Sequence, residues 1–294
     1  MSTPRLALGT VQFGLPYGIA GATTRVTDDE ARRILDFAQR RGVRMLDTAA
    51  VYGDIEERLA GLCAPAAEFV VTSKIAPIPS EIFAAQSEQA LDAWIGEAID
   101  RSIVRLGRRL VALLFHRAED LDGPAGAAVW AAARRRTREH GIALGISLYE
   151  PDRLPAGCVQ SELDIVQCPA NVFDQRLLRT GVRDRLPAEV HVRSAFLQGL
   201  LLMSPQDVAL RLPHAAASVR RWHDWCEAHS LTPVAAALGF IKSLDVDYCV
   251  FGVDSLQQFT EAVDAWERAE PVRVPELASG EPNVIDPRTW RKAS

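Results

Sequence analysis

Short apolar runs alternate with longer amphipathic segments along most of this chain of 294 residues. Eight of the runs have the length and composition of buried strands, and we predict strands at residues 5–8, 43–47, 69–74, 111–116, 142–147, 164–168, 190–194 and 247–251. The segments between them carry apolar residues at helical spacing, as Ile34, Leu35 and Ala38 do in the first, which opens with a predicted capping box from Thr27 to Glu30. We predict helices at residues 27–42, 54–63, 86–106, 125–140, 216–229, 233–244 and 256–269, with shorter ones from Pro151 and around 175–180.

This repeated alternation requires a parallel sheet, because each helix returns the chain to the same edge. Eight units at this length favour closure into a (β/α)8 TIM barrel, and a doubly wound open sheet is the alternative. No GxGxxG motif follows the first strand, so a Rossmann fingerprint is absent. Composition does not shift along the chain, so we expect one domain over residues 1–294, with an irregular tail at 271–294 lying over the surface at one barrel mouth.

Polar side chains follow three consecutive strands of the predicted barrel. MLDTAAVY (residues 45–52) carries Asp47 and Tyr52, FVVTSK ends in Lys74, and VALLFH ends in His116. The carboxyl ends of neighbouring barrel strands converge on one face, where barrel active sites lie. Singly, each residue could cap a turn, pack on the rim or meet solvent. Together they predict a site for proton transfer.

The residue types suggest which proton is moved. A phenol has a pKa of about 10, which is too high for an efficient acid at neutral pH. An ammonium such as Lys74 would lower the pKa of Tyr52, and Asp47 would hold that ammonium charged. His116 could donate a hydrogen bond to a carbonyl oxygen and orient it. Lysine occurs at only three positions, 74, 242 and 292, which favours a chemical role for Lys74.

Composition narrows the possible partners. A net charge of −5 gives no basic surface for nucleic acid or an anionic membrane. No apolar run reaches the roughly 20 residues that span a bilayer, and the first residues lack the pattern of a signal peptide. We therefore expect a cytoplasmic protein, monomeric or a small homo-oligomer. The five cysteines are scattered and the remaining histidines fit no ligand spacing, so we expect structural thiols and no metal site.

From LALGT at residue 6 to GVDSLQQFTEA ending at residue 262, the sequence resembles the aldo-keto reductase family. The resemblance rests on LDTAAVYG, VTSK and LLFH, which carry the family's Asp, Tyr, Lys and His in this order. It implies a nicotinamide cofactor that lies across the barrel mouth and delivers hydride to an aldehyde or ketone. Tyr52 would then be the general acid, Lys74 and Asp47 its tuning partners, and His116 the group that orients the carbonyl.

The resemblance also implies where the cofactor binds. Ser147 in GIS and Gln167 in IVQCPANVFDQ match the residues that hold the nicotinamide carboxamide. The asparagine that commonly follows that serine is Leu148 here, and the tyrosine that stacks on nicotinamide is Arg193. The remaining cofactor contacts expected from the resemblance are Gly9, Thr10, Ser194, Gly252, Asp254, Ser255 and Gln258.

Asp254 bears on the choice between the two nicotinamide cofactors. A basic residue near this position often grips the 2′-phosphate of NADP in the family. A carboxylate would repel a phosphate and could instead bond a ribose hydroxyl. Both NADP(H) and NAD(H) therefore stay open.

The substrate is the least defined expectation. GTVQFGLPYGIA, NVFDQRLL and HVRSAFLQGLL resemble a bacterial branch of the family associated with surface-polysaccharide or sugar metabolism. Arg193 suggests a substrate with a carboxylate, a phosphate or several hydroxyls. The sequence predicts an NAD(P)(H)-dependent oxidoreductase that interconverts a carbonyl and an alcohol. Two alternatives are a redox-neutral sugar-modifying enzyme that retains its cofactor and a cofactor-binding regulatory subunit.

Overall fold

A computed structural model describes residues 3–20, 23–64, 66–84, 87–179, 181–186 and 189–290. Eight parallel strands each pair with the next in chain order, and the last pairs with the first, so the sheet is a closed barrel. The strands are β1 Arg5–Gly9, β2 Met45–Asp47, β3 Val70–Ile75, β4 Leu110–Phe115, β5 Ala143–Ser147, β6 Ile165–Pro169, β7 Glu189–Arg193 and β8 Tyr248–Gly252. The predicted (β/α)8 barrel is confirmed, and the open doubly wound sheet is wrong.

Helices surround the barrel, and the longer ones bury their apolar stripes against it. They are α1 Val11–Gly14, α2 Asp28–Arg40, α3 Ile55–Leu62, α4 Ser80–Ala84, α5 Glu88–Leu106, α6 Gly126–Glu139, α7 Pro205–Arg211, α8 Ala216–Ala228, α9 Pro233–Lys242, α10 Leu256–Arg268 and α11 Pro282–Ile285. The predicted helix 86–106 is α5, whose N-cap is Ser87; Gln86 lies outside the described residues. No helix within the described ranges is both long and apolar enough to cross a lipid bilayer.

The N-terminus of α2 shows how sequence sets a local boundary. The Thr27 hydroxyl accepts the amide of Glu30 at 3.3 Å, which is the predicted cap. The carboxylate of Glu30 does not return to Thr27; it accepts the amide of Leu256 at 2.7 Å. Half of the predicted capping box therefore ties α2 to the start of α10.

Two predicted helices are absent from the described residues. After β5 the chain turns at Pro151, and only a 3₁₀ turn, Gln160–Glu162, follows. After β6 there is a 3₁₀ turn at Arg176–Leu178, and Thr180 lies outside the described residues. Here the Asn171 side chain accepts the amides of Phe173 and Asp174, at 3.0 Å each, and so competes with helical hydrogen bonding.

The C-terminal tail packs on the loops that follow β5 and β6. The Ser279 amide donates to the Phe173 carbonyl at 2.8 Å, and the Gln175 side chain donates to the Val274 carbonyl at 2.8 Å. The guanidinium of Arg288 lies 3.5 Å from the ring centre of Tyr149. The tail thus reaches the carboxyl-end mouth of the barrel. All five cysteines are free thiols.

Candidate active site

A cavity of about 300 Å³ opens at the carboxyl ends of the strands. It is lined by Asp47, Tyr52, Lys74 and His116, which the barrel brings together as predicted. The cavity also contains all but one of the predicted cofactor residues: Gly9, Thr10, Ser147, Gln167, Arg193, Ser194, Gly252, Asp254 and Gln258.

Ser255, the remaining predicted cofactor residue, is not among the lining residues. Its hydroxyl accepts the amide of Gln258 at 3.2 Å and so caps α10. A serine before a helix has this structural use as its commonest role. The prediction of a cofactor contact at Ser255 is therefore not supported by its position.

A buried ion pair forms the floor of the cavity. Lys74 Nζ donates to Asp47 Oδ1 at 2.6 Å and to the Thr48 carbonyl at 2.9 Å, and its side chain is 2% exposed. Gln167 Nε2 donates to Asp47 Oδ2 at 2.7 Å. Both carboxylate oxygens of Asp47 are thus held in place. Burial lowers the pKa of Lys74, and the charge of Asp47 opposes that effect.

Tyr52 and His116 stand above this pair. Their rings meet edge to face, with centroids 5.6 Å apart and an angle of 87° between the planes. Lys74 Nζ lies 5.5 Å from the ring centre of Tyr52. The phenol, the imidazole and the ammonium therefore form one cluster.

The expected lowering of the pKa of Tyr52 by Lys74 is not found. Burial raises the pKa of Tyr52, the charge of Asp47 raises it further, and Arg193 supplies the opposing positive charge. The ammonium of Lys74 is already neutralised by its close contact with Asp47. Tyr52 is thus held as a protonated phenol at neutral pH, which is the form that can donate a proton.

His116 is held in its neutral form. Burial, followed by the charges of Lys74 and Arg193, lowers the pKa of His116 to about 4. Its Nδ1 is buried and has no hydrogen-bond partner among the described residues. A neutral imidazole with a free ring nitrogen can take part in hydrogen bonding to a ligand.

Two side chains on neighbouring strands provide a polar cradle. Ser147 ends β5 and pairs in register with Gln167 on β6, and both are buried. While Nε2 of Gln167 donates to Asp47, its Oε1 is buried without a partner in the described part of the chain. Buried acceptors in proteins are nearly always hydrogen-bonded, and the amide N–H of a nicotinamide carboxamide would donate such a bond to this oxygen. The residues present therefore fit the head of a nicotinamide cofactor.

Arg193 lies beside this cradle. Its Nη2 donates to the Leu148 carbonyl at 3.1 Å and its Nη1 to the Ser194 hydroxyl at 3.4 Å. The guanidinium carbon is 4.4 Å from the ring centre of Tyr149. The Leu148 side chain is buried, so this position contributes a backbone carbonyl where the family commonly has a polar side chain.

The outer end of the cavity is acidic. Asp254 and Glu261 line it together with Gln258, whose Oε1 accepts the Asp254 amide at 2.8 Å. Burial raises the pKa of Asp254. The basic side chains among the lining residues are Lys74, His116 and Arg193, which belong to the inner end. Among the described residues, no group of three His, Cys, Asp or Glu side chains could hold a metal ion.

Several lining residues were not predicted from the sequence: Gln12, Tyr17, Tyr149, Gln198 and Glu261. The Gln12 side chain lies so close to Gly252 that a Cβ there would collide with Gln12 Oε1. Gln198 donates to the Tyr17 hydroxyl at 3.2 Å, which joins the loops after β1 and β7. Polar residues in the glycine-rich loop after β1 were the available signal for Gln12 and Tyr17.

Comparisons with known proteins agree with this geometry. Residues 5–123 match the model of the aldo/keto reductase family. An aldo-keto reductase from Bacillus halodurans, in its holo form, has 18% identity and a TM-score of 0.68, with 96% of this chain and 94% of that one covered. A glycerol dehydrogenase from Gluconobacter oxydans has 18% identity and a TM-score of 0.63, with 93% and 94% covered. A Pseudomonas aeruginosa protein assigned to the aldo-keto reductases has 22% identity and a TM-score of 0.60, with 92% of each chain covered.

At these identities the solved structures establish a shared fold, and no curated protein matches the chain. The family model matches at the level of sequence, and the matched residues include Asp47, Tyr52, Lys74 and His116. This match supports an oxidoreductase. The resemblance of this chain to the aldo-keto reductase family, predicted from its sequence, is therefore confirmed.

Proposed function

We propose that this protein is a nicotinamide-dependent oxidoreductase that interconverts a carbonyl compound and an alcohol, with Tyr52 as its general acid and base. One observation carries the proposal. A proton donor, a neutral imidazole and a buried Lys74–Asp47 pair share one cavity with the unpartnered amide oxygen of Gln167. The first three suit proton transfer to a carbonyl, and the fourth suits a carboxamide.

In this proposal the bound cofactor supplies the hydride that reaches the carbonyl carbon. Ser147 and Gln167 hold the carboxamide, and His116 orients the carbonyl oxygen by a hydrogen bond. Tyr52 gives its phenolic proton to that oxygen, so the carbonyl becomes an alcohol and Tyr52 is left as a phenolate. The positive charge of Arg193, which opposes the raised pKa of Tyr52, stabilises that phenolate until solvent reprotonates it. Alcohol oxidation uses the same groups in reverse.

We propose NAD(H) as the preferred cofactor. A 2′-phosphate needs a cation or a cluster of donors, and the outer end of the cavity presents Asp254 and Glu261. A carboxylate there would repel the phosphate of NADP and can accept a ribose hydroxyl. The inner cations, Lys74 and Arg193, lie with the reacting groups and the carboxamide cradle.

The substrate class follows from the polar groups near the phenol. Tyr17, Tyr149 and Gln198 line the same cavity and can hydrogen-bond hydroxyl groups. We propose a hydroxylated carbonyl compound such as a sugar. The Gluconobacter relative in fold is a glycerol dehydrogenase, whose substrate is a polyol.

The test is a panel of aldehydes, ketones and sugars offered with NADH and with NADPH, followed by cofactor absorbance. We expect oxidation of NADH that depends on the carbonyl compound. Cofactor binding without turnover across the panel would instead indicate a regulatory subunit. Conversion of a sugar without net change in cofactor absorbance would indicate a redox-neutral enzyme.

A further inference from the structure

Arg193 differs from the other cation in the cavity. Lys74 is paired with Asp47 at 2.6 Å, whereas no carboxylate among the described residues lies within ion-pair distance of Arg193. Its contacts are a carbonyl, a hydroxyl and the face of Tyr149. The guanidinium is always protonated, so this end of the cavity holds a permanent positive charge that no described acidic side chain neutralises.

The position of that charge is fixed by the strands. Arg193 ends β7 opposite Pro169 of β6, and its guanidinium reaches the carbonyl of Leu148, the residue after Ser147. It therefore lies alongside the cradle formed by Ser147 and Gln167. Its field also reaches the reacting groups, because it contributes to the lowered pKa of His116 and opposes the raised pKa of Tyr52.

Arg288 stacks on the same tyrosine ring as Arg193 and can be compared with it. Arg288 stacks on Tyr149 at 3.5 Å, but Asp286 contacts its guanidinium at 2.7 Å, and Glu119 lies 3.7 Å away. Arg288 thus shares the packing of Arg193 without its unpaired charge. Arg288 is also not among the residues that line the cavity.

We propose that Arg193 makes this site bind the reduced nicotinamide cofactor more tightly than the oxidised one. This inference rests on the proposed function. The reduced ring is neutral, and loss of a hydride leaves it with one positive charge. Arg193 is partly buried in the cavity, so screening by solvent is reduced, and an unpaired guanidinium there repels the charged ring and does not repel the neutral one.

The consequence is an asymmetry in product inhibition. The reduced cofactor fills the site even when the oxidised form is present, and the oxidised form leaves readily after hydride transfer. We therefore expect NAD⁺ to inhibit carbonyl reduction weakly and NADH to inhibit alcohol oxidation strongly. The overall equilibrium of the reaction is unchanged, and the bound couple has a more positive potential than the free one.

The test compares dissociation constants of NADH and NAD⁺, measured by calorimetry, in four proteins: the native chain, Arg193→Met, Arg193→Lys and Arg288→Met. We expect Arg193→Met to reduce the ratio of the NAD⁺ constant to the NADH constant about tenfold or more. A tenfold change is about 30 mV in the potential of the bound two-electron couple. Arg193→Lys keeps the positive charge and should therefore keep most of the ratio of the two dissociation constants. Arg288→Met should leave that ratio unchanged. Circular dichroism verifies that each variant folds.

The outcomes separate the two proposals. A ratio that is equal in the native chain and in Arg193→Met overturns the role given to Arg193 and leaves the proposed function standing. An equal loss in Arg288→Met would show a packing effect and would also overturn it. If Arg193→Met keeps the ratio and weakens only anionic substrates, Arg193 binds substrate and the inference is wrong. If the native chain binds no nicotinamide cofactor, the proposed function itself fails.

Discussion

The two halves of the barrel differ in regularity. The half formed by β1 to β4 contains the four residues to which we assign proton transfer, on ordinary strand–helix units, and the residues that match the family model lie in this half. Strands β5 and β6 are followed by turns, and the loop after β7 holds Ser194, Leu197 and Gln198 at φ values of 64°, 48° and 54°. Each left-handed residue costs on the order of 1 kcal/mol, and such residues cluster where ligands bind.

This difference separates two tasks. In the proposed mechanism the regular half would carry out the proton transfer, which requires fixed distances between Asp47, Lys74 and Tyr52. The other half would supply the groups that hold the cofactor, including Arg193, where this chain departs from the family's pattern. Changes in the first half should therefore affect turnover, and changes in the second should affect which cofactor form binds.

The largest effect is expected from Tyr52→Phe. Removal of the phenol takes away the proton donor, so turnover should fall about 10²- to 10⁴-fold. The Kd of NADH should stay within about twofold, since the phenol is needed for the proton only. Steady-state kinetics and calorimetry measure the two quantities. Tyr248→Phe, on β8 outside the cavity lining, is the matched control, and equal losses in both variants would contradict the assignment.

A pH dependence of stability follows from His116. Its pKa is about 4 in the folded protein and about 6.5 in an unfolded chain. Between those values the unfolded chain binds more protons, so the free energy of unfolding should fall as pH drops from about 6.5 to 4, by up to roughly 3 kcal/mol. Urea denaturation of the cofactor-free protein at a series of pH values measures this.

The control for that measurement is a pair of histidine variants. His116→Gln should lose this part of the pH slope, while His140→Gln, at an exposed position, should keep it. An unchanged slope in His116→Gln would show that His116 is not the group held neutral by burial.

The sequence allowed polar site residues to be predicted where they lie at the end of a strand. Asp47, Lys74 and His116 could be placed because apolar runs lead directly to them and parallel strands end on one face. The bond from Gln167 to Asp47 could not be predicted, because it crosses the closed barrel between residues 120 positions apart. The raised pKa of Tyr52 depends on burial depth, which residue order does not encode. The stacking of Arg193 and Arg288 on Tyr149 depends on where the tail packs.

A smaller effect is expected at the outer end of the cavity. Asp254→Arg replaces a repulsive charge with an attractive one, so the preference for NADH over NADPH should shift toward NADPH by about tenfold or more. Fluorescence titration with both cofactors measures it. Gln257→Arg places the same charge in the first turn of α10 outside the cavity lining and should shift the preference less. At least tenfold tighter binding of NADPH by the native chain would contradict the role of Asp254.

The smallest effect concerns Ser255. Loss of its hydroxyl in Ser255→Ala removes the N-cap of α10 and should cost about 1 kcal/mol of unfolding free energy. Thr232→Ala removes the corresponding cap of α9 and should cost a similar amount. Chemical denaturation measures both. If Ser255→Ala weakens NADH binding clearly more than Thr232→Ala does, Ser255 contacts the cofactor, and its assignment to helix capping alone is wrong.

The central claim is net hydride transfer to a carbonyl carbon in the cavity that contains Tyr52. NADH carrying deuterium at both C4 positions of the nicotinamide tests it directly, with the alcohol product analysed by mass spectrometry. We expect one deuterium on the alcohol carbon and one cofactor oxidised for each carbonyl reduced. Product without deuterium, or product formed without oxidation of the cofactor, would contradict it.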